Sequence, residues 1–132
     1  MSFLLDTNIC SAFVRRPSRL AHRFDQYSGR LATSSVVLAE LYTWAYKRND
    51  PGPLVYSIER ELLAELRVLD FCQEDGKRAG RLRGKLLIQG VVVPEVDLMI
   101  AAVALEHDLT LVTNNVKHFQ PVPGLRVEDW LD

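Results

Sequence analysis

The sequence predicts an α/β fold in which a short parallel β-sheet carries helices on both faces. Short apolar runs alternate along the chain with stretches whose apolar residues recur at helical spacing. The runs are continuous rather than interleaved with polar residues, which is typical of strands buried on both faces. A length of 132 residues fits one domain, so we expect residues 1–132 to form a single unit.

The first half of the chain supplies two strands and the first helices. Residues 2–5 form an apolar run, and residues 18–27 have helical spacing behind Pro17. A second short strand at 31–33 is followed by Ser34 and Ser35, which favour the start of a helix over 36–46. That helix has one apolar face, and a turn rich in proline and glycine at 49–53 ends it.

The second half repeats the alternation. A helix is predicted over 54–66, a third strand at 68–71, and a helix over 73–89 that stops at Gly90. The helix over 95–107 is apolar around most of its circumference, which predicts a central position. A fourth strand at 109–113, a short turn or helix at 115–119 and a short edge strand at 125–127 complete the fold.

Composition argues against several classes of protein. Apolar residues make up 48% and charged residues 25% of the chain, and the net charge of -1 argues against a non-specific polycation. No run approaches the roughly 18 apolar residues of a membrane span, so we expect a cytoplasmic protein with no membrane partner. Cys10 and Cys72 lie outside any CxxC pattern and are expected to be small buried thiols rather than zinc ligands.

Acidic and amide side chains occur where parallel sheets bind ligands. Asp6 follows the first predicted strand and Asn115 follows the fourth, and ligands bind beyond the carboxyl ends of such strands. Glu40 lies beside an apolar helix stripe, where an unpaired charge is costly, so we expect it to have a partner. Asp97 begins the most apolar helix in the chain.

Each of these residues also has a structural explanation. Asp6 could cap the helix that follows it, Asp97 could stabilise a helix start, and Asn115 could be an ordinary turn residue. An arginine could neutralise Glu40. A divalent cation shared by the acids explains the set together, and oxygen ligands without Cys or His favour Mg²⁺ or Mn²⁺. Such a site indicates metal-assisted cleavage of a phosphodiester.

The sequence resembles the PIN-domain endoribonucleases, specifically the VapC toxins of bacterial VapBC toxin-antitoxin pairs. The resemblance spans nearly the whole chain and rests on the segments FLLDTNIC, SSVVLAEL, VDLMIAA, LTLVTNNVKHF and GLRVEDW, in this order. Three shorter pieces, DTNIC, VTNN and GLRVEDW, further resemble the branch that cleaves initiator tRNA in the anticodon loop. The resemblance implies a three-layer α/β/α sandwich, a homodimer, an RNA substrate and a VapB-type antitoxin partner.

The resemblance also assigns roles to particular residues. It places the metal-binding and catalytic acids at Asp6, Glu40 and Asp97, with Mg²⁺ or Mn²⁺ as the cofactor. Asn115 occupies a further catalytic position, at which many PIN domains have a fourth Asp, and this should weaken binding of a second metal ion. Supporting hydrogen bonds to the ligands are expected from Thr7, Asn8 and Thr113, whereas Glu95 has no assigned role.

Contact with RNA requires positive charge, which the sequence concentrates in two regions. Arg78, Arg81 and Lys85 form one stripe at helical spacing and are the predicted RNA-binding residues, although a solvated helix face is the alternative. The second region could also contact phosphate and contains Arg15, Arg16, Arg19 and Arg23. Part of the aromatic surface supplied by Tyr42, Trp44, Tyr46 and Tyr56 is expected to meet the antitoxin or a second protomer, with a core role as the alternative for Trp44.

Two other functions compete with the ribonuclease hypothesis. Aspartyl-phosphate phosphatases also place a catalytic Asp after the first strand, but they need a second Asp two residues later, where this chain has Asn8. A catalytically silent PIN-like protein that acts only by binding its antitoxin is the other alternative. The presence of all three acids favours the enzyme.

Overall fold

Five short strands form one parallel sheet at the centre of the fold. A computed structural model describes residues 1–131, and its strands are Phe3–Leu5 (β1), Leu31–Ser34 (β2), Arg67–Leu69 (β3), Thr110–Val112 (β4) and Val127–Glu128 (β5). The spatial order is β3-β2-β1-β4-β5, and every neighbouring pair is parallel. The central strand β1 therefore has β2 on one side and β4 on the other.

Within residues 1–131, seven α-helices cover the sheet. They are Thr7–Arg15 (α1), Pro17–Gln26 (α2), Ser35–Tyr46 (α3), Gly52–Tyr56 (α4), Gln73–Ile88 (α5), Glu95–Glu106 (α6) and Val116–Phe119 (α7). The chain steps from β1 to β3 in one direction and from β4 to β5 in the other, so right-handed crossovers place α1 to α4 on one face and α5 to α7 on the opposite face. This confirms the predicted three-layer sandwich.

The core forms where these layers meet the central strands. All three residues of β1 are fully buried, as the continuous apolar run predicts. Helix α6 buries residues on most of its circumference, which confirms its predicted central position. Trp130 covers the core near the start of β1. Its ring packs edge-on against Phe3, with 5.0 Å between ring centres, and stacks on Tyr27, with 5.6 Å between ring centres. No helix of residues 1–131 is long and apolar enough to cross a membrane.

Several local predictions differ from the structure. The edge strand predicted at 125–127 shares only Val127 with β5, and the third strand predicted at 68–71 is found at Arg67–Leu69. The helix predicted over 54–66 begins as α4, continues as a π-helical segment over Ser57–Leu62 and ends there.

The thiol of Cys72 is exposed rather than buried. Cys72 is the N-cap of α5, where its backbone N–H donates to Asp75 and its Sγ lies 3.2 Å from Glu74. Cys10 is buried as predicted, and burial raises the pKa of its thiol to about 12.

Candidate active site

The carboxyl ends of β1 and β4 flank the point where the strand order reverses. The chain leaves β1 toward β2 and leaves β4 toward β5, so the crevice between β1 and β4 is the topological switch point of the sheet. Ligands of open parallel sheets bind at this position. Asp6 ends one of these strands and Thr113 ends the other, and the backbone N–H of Asp6 donates to the carbonyl of Val112 at 2.9 Å. Both residues are therefore fixed by the sheet.

The Asp6 side chain is buried and held at both of its oxygens. One oxygen accepts the backbone N–H of Thr7 at 2.7 Å, so the predicted helix-capping role is confirmed. The other accepts the hydroxyl of Thr113 at 2.7 Å, and the Asn8 amide lies 3.4 Å from it. Only 4% of Asp6 is exposed. A cap needs only the first of these contacts, and the second fixes the orientation of the carboxylate toward the crevice.

The electrostatic setting of Asp6 disfavours its charged form. Burial raises the pKa of the Asp6 carboxyl above its ordinary value, and the negative charges of Asp97 and Glu40 raise this pKa further. The hydrogen bonds from Thr113 and from the Thr7 backbone lower it in part. Three carboxylates from separate segments thus repel one another at one place, which is the arrangement that a bound cation relieves.

An open cavity of about 520 Å³ collects most of the predicted site residues. Asp6, Thr7 and Asn8 come from the start of α1, Glu40 from α3, and Asp97 from the first turn of α6. The remaining lining residues are Ser11, Arg15, Trp44, Arg48 and Asn115. Thr113 does not line the cavity. Its hydroxyl hydrogen-bonds to Asp6, to the Asn8 amide and to the backbone N–H of Asn115, and so holds these three lining residues in place. We call this cavity the acidic pocket.

Glu40 has a different environment from the one its sequence predicts. The residue is exposed at the pocket wall rather than embedded among apolar side chains. Its hydrogen-bond partner is the neutral hydroxyl of Thr7, which donates to the Glu40 carboxylate, rather than the arginine considered above. A cation shared with the other acids stays a prediction. The neighbouring apolar residues Val37 and Leu41 are buried on another face of α3, and this leaves Glu40 free to line the pocket.

Asp97 has a partner that the sequence does not reveal. The Nδ1 atom of His118 lies 3.2 Å from the Asp97 carboxylate, where it can donate a hydrogen bond. His118 reaches this position from the short helix α7, and Asp97 from the start of α6. Glu95, by contrast, faces a separate groove that is also lined by Phe71 and Arg83. The two acids of this helix start are thus directed to different sites.

The carboxylate oxygens of the acidic pocket suit a hard divalent cation, but they do not already surround one position as a complete set of ligands. Among residues 1–131, no three His, Cys, Asp or Glu side chains already stand together as a metal-binding group. Glu40 is turned toward Thr7 and Asp97 toward His118. Mg²⁺ needs only one or two carboxylates and keeps several waters, and the open pocket has room for them. The chemistry of the oxygen donors therefore suits Mg²⁺ or Mn²⁺ in this pocket.

Sequence reasoning missed one basic residue of the acidic pocket, although a signal existed. Glu40, Trp44 and Arg48 follow one another at intervals of four residues and line the same cavity. The Arg48 guanidinium lies over the Trp44 ring, 5.4 Å from its centre. The spacing of four residues that places Trp44 next to Glu40 on α3 continues to Arg48, which lies two residues beyond the end of the helix. Arg15 joins them from the last turn of α1.

The predicted basic stripe on α5 lies outside the acidic pocket. Arg78 pairs with Glu106 at 2.6 Å and, with Arg81, borders a different cavity. Lys85 is exposed near the end of the same helix. Among the aromatic residues, Tyr46 and Tyr56 are 61% and 63% exposed, and the rings of Tyr42 and Tyr46 stack at 6.0 Å.

Comparison with known proteins identifies relatives over almost the full length. The profile of the PIN domain matches residues 3–124. The chain is 36% identical to Ribonuclease VapC2 of Haemophilus influenzae, with 99% of both chains covered. It is 34% identical to the tRNA(fMet)-specific endonuclease VapC of Salmonella typhimurium and 37% identical to that of Shigella flexneri, with 98% of each chain covered in both comparisons.

Solved structures show the same relationship in three dimensions. The chain matches the DNA-bound VapBC complex of Salmonella typhimurium with a TM-score of 0.92 and 34% identity, over 98% of both chains. It matches VapBC-1 of nontypeable Haemophilus influenzae with a TM-score of 0.87 and 30% identity, over 100% of both chains. The fold, the matched profile and these relatives agree that the chain belongs to the PIN-domain family.

Proposed function

We propose that the chain is the ribonuclease toxin of a type II toxin-antitoxin pair and that it cleaves tRNA with Mg²⁺ or Mn²⁺. Its relatives are named ribonucleases, and two of them are named tRNA(fMet)-specific endonucleases. The anticodon loop of initiator tRNA is the favoured substrate, because the DTNIC, VTNN and GLRVEDW segments resemble the branch that cleaves there.

The observation that carries the proposal is the convergence of Asp6, Glu40 and Asp97 on one open pocket at the switch point. These residues come from three segments that are distant in sequence, so helix capping or local solubility does not account for their meeting. The positive charges of Arg15 and Arg48 stand at the same pocket. Metal-assisted phosphodiester cleavage uses acids that hold a cation and nearby basic groups that attract the phosphate. The pocket contains both.

Four side chains of the pocket have proposed tasks. Asp6 is the rigid ligand, because Thr113 and the start of α1 fix both of its oxygens. Asp97 and Glu40 complete the negative site and are exposed enough to turn toward it. Asn115 supplies a neutral oxygen or amide at the rim. A bound Mg²⁺ or Mn²⁺ would polarise the phosphate and lower the pKa of a bound water.

A VapB-type antitoxin is the proposed partner, and the toxin is proposed to act as a homodimer. The structural relatives include VapBC complexes from three organisms. The exposed rings of Tyr46 and Tyr56, together with the half-buried Trp44 and Tyr42, provide apolar surface that a partner can cover. Co-purification of the chain with its antitoxin, and loss of that complex on replacing Tyr46 and Tyr56 by Ser, tests this assignment.

The activity is tested by incubating the purified chain with bulk tRNA, with and without EDTA, and by mapping the RNA 5′ ends. We expect cleavage that depends on added Mg²⁺ or Mn²⁺ and that concentrates at one tRNA position. Asp97→Asn removes a pocket charge, whereas the matched control Asp25→Asn removes an exposed charge of α2. Cleavage should be lost in the first variant and kept in the second.

Two results would count against this proposal. Undiminished cleavage in EDTA would exclude the metal, and absence of cleavage in the folded wild-type chain under all metal conditions would favour the silent binding module. In the second case, growth arrest on expression should be insensitive to Asp6→Ala. Growth arrest that disappears with Asp6→Ala would instead support the enzyme.

A further inference from the structure

A second, basic cavity adjoins the acidic pocket. It has a volume of about 350 Å³ and is lined by Ala12, Arg15, Arg16 and Arg19 at the corner between α1 and α2. Arg15 lines both cavities, so one side chain forms the boundary between them. We call the second cavity the arginine groove. The basic residues on both sides of Pro17 in the sequence therefore lie together in this groove.

The guanidinium groups of the groove have no acidic partners among residues 1–131. The three ion pairs of that part of the chain involve other residues. Arg15 donates to the carbonyl of Ser11 at 3.4 Å, and Arg19 donates to the carbonyl of Leu131 at 3.1 Å. Each guanidinium has five N–H donors, so most of them remain available to a ligand. Three like charges this close favour an anion between them.

The backbone holds this arrangement in place. Helix α1 ends at Arg15, Arg16 has a non-helical conformation with φ -145° and ψ 79°, and Pro17 begins α2. The proline ring fixes its own φ and disfavours helical conformation at Arg16, so the corner is a defined bend rather than a continuous helix. Arg15, Arg16 and Arg19 are all exposed, yet they share one cavity because of this bend.

We propose that the arginine groove binds the phosphodiester backbone of the RNA on one side of the bond that is cut. The inference rests on the proposed function. The acidic pocket repels a polyanion, so the chain that enters it needs positive charge next to the site of cleavage. Guanidinium groups match phosphate oxygens in pairs, and the shared Arg15 makes the path from pocket to groove continuous.

The test compares two pairs of substitutions with the same change in charge. Arg16→Gln with Arg19→Gln alters the groove, and the control pair Arg60→Gln with Arg67→Gln removes two exposed charges elsewhere on the surface. Neither pair lines the acidic pocket. Affinity is measured in EDTA by anisotropy of a fluorescently labelled anticodon stem-loop over a range of salt concentrations. Cleavage kinetics are then measured with Mn²⁺.

The groove pair should bind RNA more weakly and show a shallower salt dependence. Counterion release gives a slope of about 0.7 per phosphate contact, so loss of two contacts reduces the slope by about 1.4 and affinity near 0.1 M salt by about 25-fold. KM should rise accordingly while kcat stays within about twofold, because the groove does not touch the bond that is cut. The control pair should change affinity less than about threefold.

The outcomes separate this proposal from the proposed function. If the wild-type chain cleaves RNA and both pairs behave alike, the groove assignment is overturned while the ribonuclease stands. If the wild-type chain binds RNA without cleaving it, and only the groove pair binds weakly, the groove stands while the enzyme fails. Unchanged RNA affinity combined with weaker binding of polyglutamate to the groove pair would assign the groove to an acidic protein segment and overturn the proposal.

Discussion

Replacing Thr113 by Val removes one hydroxyl from the support of the acidic pocket and leaves the shape of the side chain nearly unchanged. The hydroxyl donates to Asp6 at 2.7 Å and accepts the backbone N–H of Asn115 at 3.0 Å. Thr113 is fully buried, so water cannot easily replace the lost group. The substitution therefore removes the hydrogen bond that fixes Asp6 at the end of β1, together with the two bonds that the hydroxyl accepts from Asn115 and from the Asn8 amide. Of these three bonds, only the one to Asp6 has a titratable partner.

The expected loss of stability follows from the charge of the acceptor. A hydrogen bond to a charged group contributes about 1.5–3 kcal/mol, which is more than a neutral one. The unfolding entropy of a 132-residue chain is about 2.1 cal/mol/K per residue, so each kcal/mol lowers Tm by roughly 3–4 °C. We expect Thr113→Val to lower Tm by about 5–10 °C at pH 7, as measured by calorimetry.

The sign of the pH dependence follows from the pKa of Asp6. Burial raises this pKa in the folded chain, so ionisation of Asp6 costs stability as the pH rises through the folded pKa. The Thr113 hydrogen bond lowers the pKa and offsets part of that cost. Thr113→Val should therefore destabilise most at neutral pH. Its effect should shrink below the ordinary Asp pKa of 3.8, where Asp6 is protonated in both states.

Thr33 in β2 provides a matched control. Thr33 is also fully buried, and its hydroxyl donates at 2.8 Å to the neutral backbone carbonyl of Leu5. Thr33→Val should lower the free energy of unfolding by about 1 kcal/mol both at pH 7 and below pH 3.8, because no titrating group accepts its hydrogen bond. Equal, pH-independent losses in Thr113→Val and Thr33→Val would refute the argument that Thr113 stabilises a charged Asp6.

Three further predictions concern the pocket and the core. His118→Ala removes the 3.2 Å contact to Asp97 and should weaken Mn²⁺ binding about 10- to 100-fold in calorimetric titration; unchanged affinity would show that the contact has no effect on the metal. Asp6→Asn should abolish tRNA cleavage while changing the urea unfolding free energy by less than about 1 kcal/mol. Asn also caps helices well, and removal of a buried charge offsets the loss of the charged hydrogen bond from Thr113; a larger effect on stability than on activity would reduce Asp6 to a helix cap. Trp130→Ala removes the ring that packs on Phe3 and should cost about 3–5 kcal/mol in the same urea experiment, and a loss below about 1 kcal/mol would contradict its core role.

The order of strands and helices could be predicted from the sequence because it depends on local patterns. Continuous apolar runs predict β1, β2 and β4, which are buried, whereas the edge strands β3 and β5 are only partly buried. The expected N-cap at Ser34 is confirmed, since its side chain accepts the N–H of Val37 at 3.2 Å. The convergence of Asp6 and Asn115 followed from one rule, that the carboxyl ends of parallel strands share an edge. These inferences required no knowledge of side-chain contacts.

Features that depend on long-range packing could not be predicted in the same way. The contact of His118 with Asp97 and the pairing of Arg78 with Glu106 join segments 21 and 28 residues apart. The π-helical segment over Ser57–Leu62 departs from the 3.6-residue period on which the prediction of a longer helix depended. The arginine groove exists only because Pro17 bends the chain between two helices.

The central claim is that the acidic pocket binds a divalent cation that enables cleavage of RNA. The most direct measurement titrates Mn²⁺ into metal-stripped chain and records binding by calorimetry and tRNA cleavage over the same concentrations. We expect cleavage to rise in proportion to Mn²⁺ occupancy and Asp97→Asn to weaken both together. Full cleavage before Mn²⁺ is added, or unchanged Mn²⁺ binding when Asp6, Glu40 and Asp97 are all replaced by amides, would contradict it.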